Sequence, residues 1–188
     1  MGKYLILVKH SLPKIIGDVP AREWRLSEEG QIRAQRLAEW LIQYQPEVMV
    51  SSVEPKARET AEVIARNHNL TFSIVEGLHE HDRSNVSHLS QEQLRTSVRE
   101  FFQKPDELVF GKETADQAHA RFYRAVHSIL NEHENKTIVV VSHGTVISLF
   151  VSRLTGSSDF DLWNMLGLPS FIAVDLNSNT LIVRDHIV

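Results

Sequence analysis

Two short apolar runs constrain the fold of this chain more than any other feature. Tyr4-Leu5-Ile6-Leu7-Val8 and Thr137-Ile138-Val139-Val140-Val141 carry no alternating polar residues. Both therefore read as central strands of a sheet covered on both faces. In an open α/β sheet the carboxyl ends of the strands line the ligand crevice. The first run delivers Lys9-His10-Ser11 and the second delivers Ser142-His143-Gly144. Two imidazoles remote in sequence are thus expected to face one pocket.

The remaining elements alternate between strand and helix patterns. Ser27 reads as an N-cap followed by Glu28 and Glu29, and Leu37, Ala38 and Leu41 keep helical spacing, so a helix is expected over 27–44. Val48-Met49-Val50 is a second strand, and Pro55 suits the first turn of the helix after it. Residues 72–75 form a third strand, and 76–89 read as a polar surface loop. Ser90 opens a helix to about 103, Glu113 or Thr114 opens a long one, and another covers 145–154. Phe171–Leu176 and Leu181–Ile187, joined by Asn177-Ser178-Asn179, read as a hairpin. The expectation is one α/β domain over 1–188: a three-layer sandwich, its central sheet mostly parallel with an antiparallel edge. Trp24, Trp40 and Trp163 read as packing residues, Trp24 alternatively as part of a substrate entrance. The apolar stretch Phe160–Leu168 either packs on the core or docks a partner chain, which leaves a homodimer open.

Composition narrows the function classes. The chain has 188 residues, 42% apolar and 23% charged, ordinary values for a globular protein. With no cysteine it has neither disulfide nor thiolate chemistry. A net charge of −4 argues against nucleic-acid binding, which needs a basic face. No run of about 18 apolar residues exists to span a membrane, and the first residues lack a signal-peptide layout. A cytoplasmic location is expected.

The motifs around the two histidines resemble those of the histidine phosphatase superfamily, whose fold is phosphoglycerate mutase-like. That family has Arg-His-Gly after its first strand, where this chain has Lys9-His10-Ser11. Leu26-Ser27, Gly30 and Ala34 match its next signature. Ser51-Ser52-Val53-Glu54-Pro55-Lys56-Ala57-Arg58-Glu59-Thr60-Ala61 follows Ser-Ser-Pro-Leu-x-Arg-Ala-x-x-Thr-Ala, with lysine again for arginine. Leu78-His79-Glu80 fits Leu-x-Glu, Gly111-Lys112-Glu113-Thr114 loosely fits Gly-Glu-Ser, and Ser142-His143-Gly144 matches in full. Five motifs in register over most of the chain make the likeness specific.

The resemblance implies a phosphomonoester hydrolase that needs no metal or other cofactor. His10 is implied to be the nucleophile that becomes phosphohistidine, and His143 to neutralise the transferring group. Glu80 is implied as the proton donor, with Asp82 the competing carboxylate. Lys9, Lys56, Ser11 and Gly144 are implied to bind the substrate phosphate. Lysine keeps the positive charge but lacks the planar two-pronged grip of arginine. Arg58 lies on a different helix face from Lys56; Lys14, Arg22 or Arg25 would have to reach in from the first loop. His79-Glu80-His81-Asp82 holds metal-ligand residue types, but alternate side chains in an extended loop need not converge. The partner is expected to be a small phosphorylated molecule, with phosphate or sulfate able to fill the same place. The alternatives are a catalytically weak phosphate-binding or regulatory protein of the same fold, or a mutase-type phosphoryl transferase.

Overall fold

A computed structural model describes residues 3–17, 19–86, 89–177 and 181–184. Among these, six strands form one sheet: β1 (Tyr4–Lys9), β2 (Val48–Ser51), β3 (Ser73–Ile74), β4 (Ile138–Ser142), β5 (Ser170–Asp175) and β6 (Leu181–Arg184). Their spatial order is β3-β2-β4-β1-β5-β6. The pairs β1–β4, β4–β2 and β2–β3 are parallel, while β5 and β6 close one edge antiparallel. The two apolar runs therefore lie side by side at the centre.

Strand alternation divides the core in two. Ile6, Val8, Val139, Val141, Phe171 and Ala173 face α1 (Glu28–Leu41) and α2 (Pro55–Asn67). Leu5, Leu7, Ile138, Val140, Ile172 and Val174 face the other side. Covering them are α3 (Gln91–Gln103), α4 (Ala115–Glu132), α5 (Gly144–Thr155) and α6 (Asp159–Met165). Burial on both faces explains why β1 and β4 show no polar alternation in sequence. The helix starts are chemically marked: Ser27 accepts from the Gly30 amide, and Ser90 and Thr114 form capping boxes with Gln93 and Gln117.

Several expectations are corrected in detail. The first α-helix stops at Leu41 and continues to Tyr44 as a 3₁₀ turn, ended by Gln45 at φ 50°. The third strand is only Ser73–Ile74, both exposed at the sheet edge. The 160–168 stretch follows the first of its two expected readings: it contains α6, whose Leu162 is buried with Leu166 on the core beside Phe160 and Trp163. Trp40 does not pack inward; it is 49% exposed. The expected surface loop at 76–89 is not all surface, since Leu78 and His81 are buried. Ser178, Asn179 and residues 185–187 of the expected hairpin lie outside the described residues. No helix among the described residues is long and apolar enough to cross a membrane.

Candidate active site

The site forms where the central strands end. Lys9 of β1 is paired with Ser142 of β4, and the His10 amide donates to the Ser142 carbonyl at 3.0 Å. The next residue along each parallel strand is a histidine, so register alone brings His10 and His143 together. Their ring centroids are 5.2 Å apart, with the planes inclined at 63°. The Ser52 amide donates to the Val141 carbonyl (2.9 Å), which places the β2–α2 turn beside them.

Hydrogen bonding fixes the state of His10. Its Nδ1 lies 2.8 Å from the Ser11 carbonyl, which only accepts, so Nδ1 carries the proton and the Nε2 lone pair is free. Burial, then the positive charge of Lys56 and neighbouring His143, holds its pKa well below the ordinary histidine value, outweighing the Ser11 bond. His143 is held well below its ordinary value too, by burial first and Lys56 next, against the opposing pull of Glu80. Both rings are therefore neutral at neutral pH. Nε2 of His143 bonds to Ser52 Oγ at 2.8 Å, and its Nδ1 is buried without a hydrogen-bond partner among the described residues.

The two lysines enter from different elements. Lys56, in the first turn of α2, is buried; its Nζ donates to the Ala21 carbonyl (2.7 Å) and to Glu54 Oε2 (2.5 Å). Lys9 donates to the Leu166 carbonyl at 2.7 Å. Burial lowers its pKa to about 8, against the raising effect of Glu80. Gly144 makes room for its stem: a Cβ there would stand 3.1 Å from Lys9 Cε.

The Ser11 hydroxyl donates to the Gly30 carbonyl (2.7 Å) and its amide to Thr60 Oγ1 (3.0 Å). Both donors are thus directed into the protein, tying the end of β1 to the α1–α2 layer. Gly30 is required there, because a Cβ would meet the Leu12 carbonyl oxygen at 2.1 Å.

Of the two carboxylates in the 78–82 loop, Glu80 faces the histidine side. Its Oε1 accepts from the His81 amide (2.9 Å) and Oε2 from the Thr145 amide (3.3 Å) at the start of α5. Burial raises its pKa, but His143, Arg83 and the His81 amide together prevail and leave it below the usual value. Asp82 instead takes the Ser84 amide at 2.9 Å. His81 packs tilted against Phe101 and edge-on against Phe110, so the His79–Asp82 side chains diverge. No metal-holding group of three His, Asp or Glu side chains is found among the described residues. Lys14, Arg22, Arg25 and Arg58 are exposed, Arg25 pairing with Glu59 and Arg22 with Glu23. Trp24 Nε1 donates to the Val19 carbonyl at 2.9 Å and steadies the first loop.

Three participants were not singled out from sequence. Arg121 of α4 donates to the Gly77 (2.7 Å) and His79 (2.9 Å) carbonyls and pairs with Glu113 (2.6 Å). Glu113 in turn accepts from the Asp82 amide. This clamp explains why a polar loop lies against the core, and the loose Gly-x-Glu match at 111–113 was its only trace. Arg83 is half-buried, and its positive charge depresses Glu80 and His143. Glu54 is buried between Lys56 and His143, at the position where the motif it follows has leucine.

A sequence model of the histidine phosphatase superfamily (branch 1) matches residues 17–184, and the chain belongs to that superfamily. It is similar to the uncharacterized phosphatase PhoE of Bacillus subtilis (strain 168), with 22% identity over 131 residues. That match covers 70% of this chain and spans 65% of the relative's length. Among solved structures, a mycobacterial glucosyl-3-phosphoglycerate phosphatase complexed with inorganic phosphate is 20% identical, with a TM-score of 0.73 over 99% of this chain and 97% of that one. A phosphoserine phosphatase from Entamoeba histolytica complexed with 3-phosphoglyceric acid is 21% identical, with a TM-score of 0.75 over 96% and 94%. At these identities the likeness is one of fold.

Proposed function

We propose that this member of the superfamily is a metal-independent phosphomonoester hydrolase working through a phosphohistidine on His10. The observation that carries the reading is the facing pair of neutral imidazoles, 5.2 Å between centroids, with Nε2 of His10 available to attack. The Nε2 lone pair forms a bond to phosphorus as the bond to the leaving oxygen breaks. Glu80 gives that oxygen its proton. Water then attacks the phosphohistidine, Glu80 takes back a proton, and cleavage of the P–N bond releases phosphate.

Local electrostatics support these roles. His143, with a buried ring nitrogen unpartnered among the described residues, has a polar atom to offer a phosphoryl oxygen. Lys9 and Lys56 supply positive charge to the phosphoryl group, without the bidentate grip that arginine would give. Glu80 is held below the ordinary value before substrate arrives. An incoming oxyanion raises its affinity for a proton, so proton uptake accompanies binding. Asp82, spent on the Ser84 amide, is the weaker choice.

One observation favours the alternative of a weakly catalytic phosphate-binding protein: Lys56 already has an anionic partner in Glu54 at 2.5 Å. Hydrolysis of an aryl phosphate in excess chelator separates the readings. Turnover that survives chelation and disappears in His10→Ala supports the enzyme. Turnover lost to chelation, or unchanged in His10→Ala, refutes it.

A further inference from the structure

A carboxylate is an unusual neighbour for a phosphate site, because it repels an ionised oxyanion. Glu54 stands at the turn between β2 and α2, 7% exposed. Its Oε2 is 2.5 Å from Lys56 Nζ and its Oε1 is 3.5 Å from His143 Nε2. Oε1 also accepts from the Glu80 amide at 2.9 Å, which ties the carboxylate in place. Both of its oxygens therefore touch groups assigned above to the phosphoryl group, and no rotation to solvent is available without breaking three contacts.

The surroundings define what such a group can do. Lys56 faces it from α2, His143 from the start of α5, and Glu80 and His79 from the 78–82 loop. Lys9 and His10 stand at the end of β1, and Arg83 lies beyond Glu80. Glu80 adds a second negative charge, so the corner is already supplied with anions. An arriving oxyanion with no proton would set oxygen against oxygen at Glu54. A phosphoryl group that still carries a proton offers P–O–H to the carboxylate and keeps its other oxygens for Lys56 and His143. Buried acceptors discriminate strongly between ligands that can donate to them and isosteres that cannot.

We infer that Glu54 is a specificity-determining residue, a buried acceptor that admits protonated phosphoryl groups and excludes fully ionised oxyanions of the same shape. The substrate class is thereby narrowed to phosphomonoesters taken as the monoanion, with sulfate and sulfate esters rejected. Phosphomonoesters lose the second proton at about pH 6, so the monoanion is a minor but available form at neutral pH. Sulfate has no proton to give there. The inference rests on the reading of Lys56 and His143 as phosphate contacts.

Calorimetric titration of the full chain with inorganic phosphate and with sodium sulfate tests it without requiring turnover. The wild type should bind phosphate at least about a hundredfold more tightly than sulfate. Glu54→Gln keeps the size and the acceptor for the Glu80 amide but adds donors; it should bind the two anions within about tenfold of each other. A wild type that takes sulfate as tightly as phosphate overturns the inference with no variant needed. Undiminished discrimination in Glu54→Gln, or equal loss of both anions, overturns it as well, the latter leaving Glu54 only a support for Lys56. Lys56→Ala distinguishes failure of the underlying site. If phosphate binding is absent from the wild type, or indifferent to Lys56→Ala, the phosphate-site reading itself falls and takes the inference with it.

Discussion

Replacing Lys9 by methionine is expected to stabilise the protein at neutral pH while removing its hydrolytic activity. Burial lowers the Lys9 pKa from 10.5 to about 8, and each pKa unit corresponds to about 1.4 kcal/mol. Holding the charged ammonium in the fold thus costs about 3 kcal/mol at neutral pH. Methionine matches the unbranched stem but leaves the Leu166 carbonyl without its 2.7 Å donor, a loss of about 1–2 kcal/mol. The net gain is about 1–2 kcal/mol, or roughly 2–8 °C in melting temperature for a chain of this size. The sign follows from proton counting. Between pH 8 and 10.5 the unfolded chain holds a proton that the folded chain has released, so wild-type stability rises with pH through that window. The variant's advantage should therefore shrink and reverse within the same window. Denaturant unfolding of both proteins near pH 7 and near pH 10 measures the crossing. A variant less stable near pH 7, or a gap that ignores pH, would refute the claim that Lys9 is held charged against its environment.

Three further outcomes follow from the site. The rate of Lys9→Arg relative to wild type should climb above pH 8, because the wild-type lysine loses its charge at about 8 while arginine does not titrate there; a flat ratio in the pH profile of kcat/KM counts against Lys9 as a substrate contact. Arg121→Met removes the clamp on the Gly77 and His79 carbonyls and leaves Glu113 unpaired. It should reduce stability by about 3 kcal/mol and lower kcat about tenfold or more with little change in KM, which steady-state kinetics would read. Phosphate binding near pH 7 should take up a proton in wild type but not in Glu80→Gln, as measured by calorimetry in buffers of different ionisation enthalpy; equal uptake in both would place the proton elsewhere.

The parts legible in the sequence are those written in periodicity and local chemistry. β1 and β4 announced themselves because both faces are buried, and Ser27, Ser90 and Thr114 announced helix starts because capping is a property of a few adjacent residues. The pairing of His10 with His143 was legible because parallel neighbours end together. What escaped depends on contacts between distant segments. The 76–82 loop looks polar, yet Arg121, over forty residues on, satisfies its carbonyls and lets Leu78 sink into the core. Glu54 looks like surface charge until Lys56, two residues later, folds back on it. Ser11 gives no sign in sequence that the close approach permitted by Gly30 engages its hydroxyl. α6 spans seven residues, too few turns for an apolar period to establish itself.

The suspension of both histidines from the middle of the β-ladder divides the labour of the molecule. The catalytic floor moves only if the central strands part, so it belongs to the last region to open under hydrogen exchange. The surrounding walls hang on turns and helix starts outside that ladder. Insertions or exchanges in those walls can alter which molecule is received while the reacting pair keeps its spacing, so recognition and chemistry in this scaffold are free to diverge independently.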